Sequence, residues 1–312
     1  MQPTRDLAII LRVVPYQERD RIVTALTEKH GKISALAKNS IQSRRFGGTL
    51  DLFAASEWHW NKKPGAELVQ LQEALIRRPF DGLRKDFEKL SIASAWTELL
   101  LRIAPEDDGS SDLFKLHSNA LVALEEMAIE GTREKDLHLL NAYFAKILQW
   151  GGSQPQPHAC LECLAPLEQM PPEHALTCII SVAGWICADC RSAGTRHARE
   201  SKEHGFQVSG LSVSPAAIQD FRASLVGPIR QVSQWTQGTR DEHRGLFRFL
   251  EALLAFHLPG FDKKQLKSLR FLDVESNLQL RQDRTPQNQF VETRQQNPTG
   301  ATRLSADRAS KL

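Results

Sequence analysis

Two Cys-x-x-Cys pairs are the residues of this chain whose type and spacing most clearly indicate chemistry. Cys160 and Cys163 form the first pair, and Cys187 and Cys190 form the second, with a strand-like segment between them. Each pair can direct two thiolates at one ion, and two pairs complete the closed tetrahedral sulfur set typical of structural zinc. The sequence therefore predicts one structural Zn²⁺ ion bound by these four cysteines.

Other uses of these cysteines need a context that the sequence does not favour. Two disulfide bonds would need an oxidising compartment, and the first residues begin no apolar signal segment. A redox Cys-x-x-Cys would need one pair in a thioredoxin-like strand–helix context. His158 and His174 could each replace a thiolate, although four well-spaced cysteines make this unnecessary. The fifth cysteine, Cys178, lies in an apolar run, which is typical of a small buried hydrophobe.

Positive charge is concentrated in the first fifty residues. Nine lysines and arginines occur there against four acids, although the net charge of the 312 residues is only +3. Such a local excess in a small domain favours binding to phosphate groups. The candidate nucleic-acid contacts are Arg12, Arg19, Arg21, Lys29, Lys32, Lys38, Arg44 and Arg45.

A polar, glycine-rich segment, residues 39–48, carries two of these arginines beside Phe46. Paired cations and an aromatic ring on a loop fit single-strand binding, because cations follow the backbone while a ring stacks on a base. The alternative is that Arg44 and Arg45 are merely solvated and that Phe46 plugs a barrel. The other cations lie on or beside the same few strands, which favours the DNA-binding interpretation.

Short strands must position these cations. Five runs with β-type patterns occur at residues 7–14, 21–27, 32–38, 50–60 and 67–74. Gly31 suits the turn between the second and third runs, where φ can be positive. Five strands in this length predict a small closed antiparallel barrel, and the five-stranded OB-fold is the commonest nucleic-acid-binding form. We assign this domain to residues 1–80.

From residue 83 the apolar spacing changes from two to about 3.6, which predicts helices. The first is one long helix with an apolar face from Leu83 through Phe87 to Ile103. A second begins at a cap near Ser110 and ends at Gly131.

Three further helices complete the prediction. One ends at Gly151, another begins at Ser214–Pro215, and the last opens with the capping-box pair Thr239 and Glu242. A short apolar element is expected at 266–272.

The fold class predicted is therefore α+β, a five-stranded OB-fold barrel followed by an α-helical domain at 81–272 with a four-cysteine zinc module embedded in it. The zinc-binding insert spans about 155–195, and residues 195–210 form a basic, histidine-bearing linker. From Asp273 to the end, polar residues dominate without periodicity, so we expect a disordered tail at 273–312.

The motifs of common enzymes are missing from the sequence. Gly31–Lys32 lacks the remaining residues of a phosphate-binding loop, and we find no nucleophile elbow, His-Glu-x-x-His helix or acidic cluster suited to two metals. The prediction is a binding protein and not an enzyme. No window approaches eighteen apolar residues, so we expect a soluble protein with no membrane partner. Thiol ligands that must stay reduced predict the cytoplasm, where a DNA-binding protein would be nucleoid-associated.

The order of these motifs resembles that of the bacterial recombination mediator family RecO. The resemblance is carried by residues 9–12 (Ile-Ile-Leu-Arg), 16–21, 26–38 and 148–151, the last leading into the two cysteine pairs. It covers roughly residues 5–272. The chain departs from the family at Leu164, where the family often has glycine, and in a long loop between the pairs.

The resemblance implies binding of single- and double-stranded DNA and annealing of complementary strands. It also implies that the protein, together with RecR, loads RecA onto DNA coated by single-strand-binding protein, whose acidic C-terminal tail would dock on the helical domain. Carried over residue by residue, it implies DNA contacts at Arg19, Arg21, Lys32, Lys38, Arg44 and Arg45. The alternative hypotheses are a zinc-containing nucleic-acid-processing enzyme and a transcription-type adaptor.

Overall fold

A computed structural model describes most of the chain. The described residues are 3–127, 133–153, 156–171, 174–197, 199, 207–212, 215–234, 238–261 and 266–272. The predicted tail from Asp273, the helix end at Gly131 and the cap at Ser214 lie outside the described residues.

The first five strands close into a barrel in the order β1-β2-β3-β5-β4, which confirms the OB-fold prediction. β1 pairs antiparallel with β4, and β3 pairs in parallel with β5. The fourth strand begins later than predicted because residues 50–54 form a turn in which Phe53 has φ 72°. The strands are β1 (Thr4–Tyr16), β2 (Asp20–Thr27), β3 (Gly31–Ala37), β4 (Ala55–Asn61) and β5 (Val69–Arg78).

Strand alternation separates the barrel core from its outer surface. In β3 every second residue is buried, and Ile33 and Ala35 share the barrel interior with Trp58 and Trp60 of β4. The outer side of the barrel is covered at one end, where Ile9, Leu11 and Leu26 belong to the core of the helical domain. The two domains therefore share a continuous apolar contact.

The turn between β2 and β3 holds the barrel against the helical domain through close backbone contacts. Gly31 has φ 70°, and a Cβ there would lie 2.5 Å from the carbonyl oxygen of Asp108. A Cβ on Gly109 would lie 2.1 Å from the carbonyl of Lys29. The Lys32 backbone N–H donates to the Pro105 carbonyl at 2.8 Å. Both glycines thus permit two backbones to touch.

The helical domain begins with two helices where one was predicted. Asp86 has an extended backbone and its carboxylate accepts a hydrogen bond from the Lys89 N–H, so it caps a new helix. This break also turns Phe87 outward, and that side chain is 61% exposed instead of buried as predicted. The helices are α1 (Asp81–Lys85), α2 (Phe87–Ile103), α3 (Ser111–Glu126), α4 (Arg133–Trp150), α5 (Ala188–Ser192), α6 (Pro215–Val226) and α7 (Arg240–His257).

Helix α4 is the centre of the helical core. Its residues from Leu139 to Leu148 are almost all fully buried, on every side of the helix, which is the pattern of a helix surrounded by others. It packs against α3, α6 and α7. The predicted capping box of α7 is confirmed, since Thr239 and Glu242 exchange hydrogen bonds.

The cysteine segment contains a three-stranded sheet in the order β7-β6-β8. Its strands are β6 (Ala175–Ile179), β7 (Gly184–Ile186) and β8 (Gln207–Ser212). The prediction of a linker through residue 210 is wrong at its end, because β8 pairs with β6. The sequence of β8 is mostly polar and carries no local pattern that indicates its pairing with β6, about thirty residues earlier.

Within the described part of the chain, no helix has both the length and the apolar character needed to cross a membrane.

Candidate metal centre and nucleic-acid interface

The four predicted cysteines converge on one point. Their sulfur atoms, from Cys160, Cys163, Cys187 and Cys190, all lie within 4.8 Å of one another, and Cys163 Sγ is 3.9 Å from Cys187 Sγ. Four thiolates at about 2.3 Å around a tetrahedral ion would be separated by about 3.8 Å. The arrangement therefore fits one metal ion held by four sulfurs.

Backbone groups orient these sulfurs. The Cys187 N–H donates to Cys160 Sγ at 3.4 Å, and the Cys190 N–H donates to Cys187 Sγ at 3.5 Å. A hydrogen bond from the Ala165 backbone lowers the pKa of Cys163, which favours its thiolate, whereas burial raises the pKa of Cys187 and of Cys190. Such N–H···S contacts stabilise negative charge on a ligand and hold it in place.

The competing uses of the cysteines receive no support among the described residues. All five cysteines are free thiols. Cys178 is fully buried in β6, and burial raises the pKa of its thiol, as expected of a small core residue. His158 and His174 are not in the sulfur cluster, and His174 instead lies 3.5 Å from Asp189.

Leu164 occupies the turn where the resemblance expects glycine. Its φ is 59°, in the left-handed region, and its N–H donates to the Cys160 carbonyl at 3.1 Å. Leu164 is also 74% exposed. The turn geometry is therefore kept without a glycine, at the cost of a strained backbone and an exposed apolar side chain.

The segment that carries the four cysteines and strands β6 and β7, here called the metal module, packs on the helical core through Trp185. This residue of β7 is fully buried, and its ring centroid lies 4.2 Å from that of Phe249 on α7. Its carbonyl accepts from the Leu161 N–H at 2.8 Å, next to the first sulfur ligand. At the C-terminal end of α7, His257 Nε2 contacts the Ile180 carbonyl at 2.7 Å. Order around the four cysteines is therefore coupled to order in α7.

Five of the eight predicted basic residues lie at opposite ends of the β2–β3 hairpin. Arg19, Arg21 and Lys38 lie at the β1–β2 turn, Lys29 and Lys32 lie at the β2–β3 turn, and Arg12 lies midway, opposite Thr24. The eight residues of β2 separate these ends by roughly 23 Å. The sequence-predicted cations therefore do not form one continuous patch.

Lys32 is engaged at the barrel–helix joint. Its Nζ donates to the Leu101 carbonyl at 2.9 Å and lies 3.4 Å from a carboxylate oxygen of Glu106. The side chain is 14% exposed, so little of it is open to a phosphate. Lys29 is exposed, and its backbone N–H donates to Asp6. We therefore do not retain Lys32 in the candidate interface.

An open cleft of about 630 Å³ lies at the other end of the hairpin. The β1–β2 turn and the segment after β3 form it together, because the Asn39 N–H donates to Asp20 Oδ1 at 2.7 Å and the Ile41 N–H donates to the Arg19 carbonyl. The cleft is lined by Tyr16, Gln17, Glu18, Arg19, Asp20, Leu36, Lys38 and Asn39.

The outer face of β1, β2 and β3 adjoins the cleft, as the register of the three strands shows. Arg12 pairs with Thr24, and Thr24 with Ser34 across a 3.0 Å contact between their hydroxyl oxygens. The next outward row consists of Val14, Ile22 and Leu36, all half-buried. A cation, hydroxyls and a shallow apolar row thus adjoin the cleft. Arg21 has the parity of inward-facing Val23 and lies at the barrel end.

Phe46 fills the barrel, as stated in the alternative hypothesis in which it plugs the barrel and does not stack on a base. Its side chain is 3% exposed and belongs to the barrel core, so it is not free to stack on a base. Arg45 is exposed, with its guanidinium 5.6 Å from the Phe46 ring centroid. The side chain of Arg44 lies outside the described part of the structure.

Tyr16 is the aromatic residue that the sequence reasoning did not select. It ends β1, lines the cleft beside Arg19 and Lys38, and is 42% exposed. Its position in the sequence, just after the first predicted strand and three residues before Arg19, was the available signal. Tyr16 can offer a ring face to a base where Phe46 cannot.

Comparison with known proteins decides the family. Models of the families "Recombination protein O N terminal" and "Recombination protein O C terminal" match residues 1–80 and 84–179. DNA repair protein RecO of Desulfosudis oleivorans is 30% identical over 270 residues, which cover 85% of this chain and 95% of the relative. The chain belongs to the RecO family. DNA repair protein RecO of Desulfatibacillum aliphaticivorans is 29% identical over 289 residues, covering 87% and 97%.

Membership in the RecO family confirms the recognised resemblance and gives a role in DNA repair and recombination. The matched segments include the barrel and the first cysteine pair.

Proposed function

We propose that this RecO-family protein is a recombination mediator without catalytic chemistry of its own. It binds single- and double-stranded DNA and anneals complementary strands. Together with RecR it loads RecA onto DNA coated by single-strand-binding protein. The observation that carries the DNA-binding part is the cleft that combines Tyr16, Arg19 and Lys38 beside an open strand face.

The proposed contacts with DNA are of two kinds, ion pairs with phosphates and stacking on a base. Arg12, Arg19, Lys38 and Arg45 are exposed and would neutralise backbone phosphates, releasing counterions. Tyr16 would stack on a base, and the half-buried row beside it would cover the sugar–base edge. Two strands held on cations repel each other less, so their bases can search for complementary partners. No covalent step is needed.

Acidic residues at the cleft limit its net charge. Glu18 and Asp20 line it together with Arg19 and Lys38, although the Asp20 carboxylate is engaged by the Asn39 N–H. The positive field must therefore come from Arg12 and Arg21 on the adjoining strands in addition to the cleft cations. This supports modest, salt-sensitive affinity for DNA over tight site-specific binding.

The metal proposed at the four cysteines is one structural zinc ion. Closed four-sulfur sets leave no position for water or substrate, so the ion would hold the module together and not activate a reactant. We propose that this module and the helical domain support the barrel and recruit partners, including the acidic C-terminal tail of single-strand-binding protein.

Annealing of complementary strands precoated with single-strand-binding protein tests the proposal. We expect the purified protein to accelerate annealing, and the variant Tyr16→Ala/Lys38→Ala to lose most of this acceleration. Lys115→Ala is the matched charge control, because Lys115 is exposed on α3 in the helical domain. Equal loss of annealing in the double variant and the control would contradict the cleft as the DNA site.

A salt titration gives a second measure. If about four cations meet single-strand phosphates, the log–log dependence of the binding constant on salt should have a slope of roughly −3. Assays for nuclease, ligase and nucleotide hydrolysis with the same preparation test the enzymatic alternative, and turnover in any of them would reject the mediator-only proposal.

A further inference from the structure

A second cluster of metal-ligand side chains lies in the middle of the helical domain, apart from the cysteines. His138 on α4, Asp220 on α6 and His243 on α7 each place one ligand atom within 4.8 Å of the others. All three are at most 2% exposed. The sequence separates these residues by as many as 105 positions, so only the fold brings them together.

The imidazoles in this cluster have polar atoms without partners. His138 Nε2 and both ring nitrogens of His243 are buried and make no hydrogen bond in the described structure. His243 Nε2 lies 3.5 Å from Asp220 Oδ2, without the geometry of a hydrogen bond. A buried polar group without a hydrogen-bond partner lowers the stability of the fold by about 1–3 kcal/mol. Several such groups in one place therefore indicate that a ligand binds between them.

The three ligand atoms are close enough to surround one ion, since all lie within 4.8 Å of one another. Nitrogen and oxygen ligands at about 2.1 Å from a tetrahedral ion would be about 3.4 Å apart. The His243–Asp220 distance of 3.5 Å is close to this value. The His138 and His243 ring centroids are 4.8 Å apart at an angle of 41°, so the two rings are close without being stacked in parallel.

A cation satisfies this set better than a water molecule would. Two neutral imidazole nitrogens and a carboxylate oxygen are three acceptors, and a water molecule has only two protons to donate. A divalent ion can contact all three acceptors and also compensates the buried negative charge of Asp220. Two imidazoles and one carboxylate are a ligand set that zinc-class metals accept.

The surrounding backbone already holds the proposed ligands in place. The Gly238 N–H donates to Asp220 Oδ2 at 2.7 Å, which orients the carboxylate. Asn141, on α4 one turn beyond His138, donates from Nδ2 to the His243 carbonyl at 2.8 Å. A Cβ at position 238 would lie 3.3 Å from His243 Nε2, so glycine keeps this nitrogen uncrowded.

We propose that His138, Asp220 and His243 bind a second, structural divalent metal ion of the zinc class, with water completing a four-coordinate shell. The ion ties α4, α6 and α7 together in the helical core. This site is independent of the four-cysteine centre and of the proposed DNA cleft.

Metal content of the full-length protein, saturated with Zn²⁺ and freed of excess, tests this inference. We expect two ions per chain in the unaltered protein and one in each of Asp220→Asn, His138→Gln and His243→Gln. His117→Gln is the matched control and should keep two ions. His117 is likewise a fully buried imidazole with an unpartnered Nε2, but it belongs to no ligand cluster among the described residues.

Loading with Co²⁺ gives a readout that does not depend on the variants folding. In the unaltered protein the sulfur site should produce thiolate charge-transfer absorption, and the second equivalent should add only weak visible bands typical of nitrogen and oxygen ligands. One ion per chain at saturation, or no added bands with the second equivalent, would overturn the proposal. Unchanged metal content in folded Asp220→Asn and His138→Gln would do the same.

Discussion

At the scale of single residues, the position of a side chain decides what its charge or ring can do. Lys32 and Lys38 both belong to the same basic segment of sequence, yet Lys32 binds the Leu101 carbonyl while Lys38 lines the open cleft. Phe46 and Tyr16 differ in the same way, since one fills the barrel and the other is exposed. The candidate interface is therefore smaller than the set of basic residues.

Opposite charges in the cleft should affect DNA binding with opposite sign. We expect Lys38→Gln to weaken binding to single-stranded DNA several-fold at low salt and to reduce the magnitude of the salt slope by about 0.7. Glu18→Gln removes a negative charge from the same cleft and should strengthen binding. Fluorescence anisotropy at several salt concentrations measures both effects, and a shift in the same direction for both variants would exclude direct phosphate contact.

Leu164 should be replaceable by glycine with a gain in module stability. The left-handed φ of 59° costs a leucine roughly 1 kcal/mol, and glycine adopts it freely. Glycine also raises the entropy of the unfolded chain, so we expect Leu164→Gly to stabilise the module by at most about 1 kcal/mol. Chelator-challenge rates of zinc release measure this. Leu164→Ala keeps the backbone strain and is the control; a Leu164→Gly variant that releases zinc faster than Leu164→Ala would contradict the prediction.

At the scale of elements, contacts between helices create properties that neither helix has alone. Asp136 on α4 lies against Glu88 on α2, and both face the same small cavity as Arg240. Burial, the Glu88 charge and a hydrogen bond with Glu88 raise the pKa of Asp136 to about 7, with Asp86 adding to the rise and Lys89 opposing it. The folded chain therefore favours the protonated form of Asp136.

This raised pKa predicts a pH dependence of stability. The folded chain binds the Asp136 proton more tightly than the unfolded chain, so stability should fall as pH rises from about 4 to about 7 and then level off. Asp136→Asn should flatten this part of the profile and add about 1–3 kcal/mol at pH 8. Denaturant unfolding at several pH values measures it. Asp51→Asn, an exposed site with the same charge change, should leave the profile unchanged.

At the scale of the whole molecule, two sets of contacts join the barrel, the helical domain and the four-cysteine module. The barrel is held by the backbone contacts of Gly31 and Gly109, and the metal module by Trp185 against α7. Helix α4, buried from Leu139 to Leu148, is the centre of the helical domain to which both are attached. A local change at the metal should therefore reach the helical domain before it reaches the barrel.

Loss of the four-sulfur metal should destabilise the helical domain. Cys163 is the exposed ligand, so Cys163→Ser disturbs little packing apart from the metal. We expect the loss of about 2–3 kcal/mol from this domain and a fall in Tm of about 5–10 °C, with the barrel retained. Differential scanning calorimetry with hydrogen exchange measures this. Cys178→Ala is the control that should keep its metal, and an unchanged exchange rate in α7 of metal-free Cys163→Ser would refute the coupling.

The amino-acid sequence by itself determined the barrel, the helical domain, the helix caps at Ser110 and Thr239 and the two cysteine pairs that come together. These features depend on local periodicity or on short, rigid spacings, which can be recognised without knowing the partners. The split at Asp86, strand β8 and the division of the cations into two groups were decided by tertiary structure. So was the meeting of His138, Asp220 and His243. Each depends on contacts between residues far apart in the chain, and the packing energy that selects those contacts has no signature within a single segment.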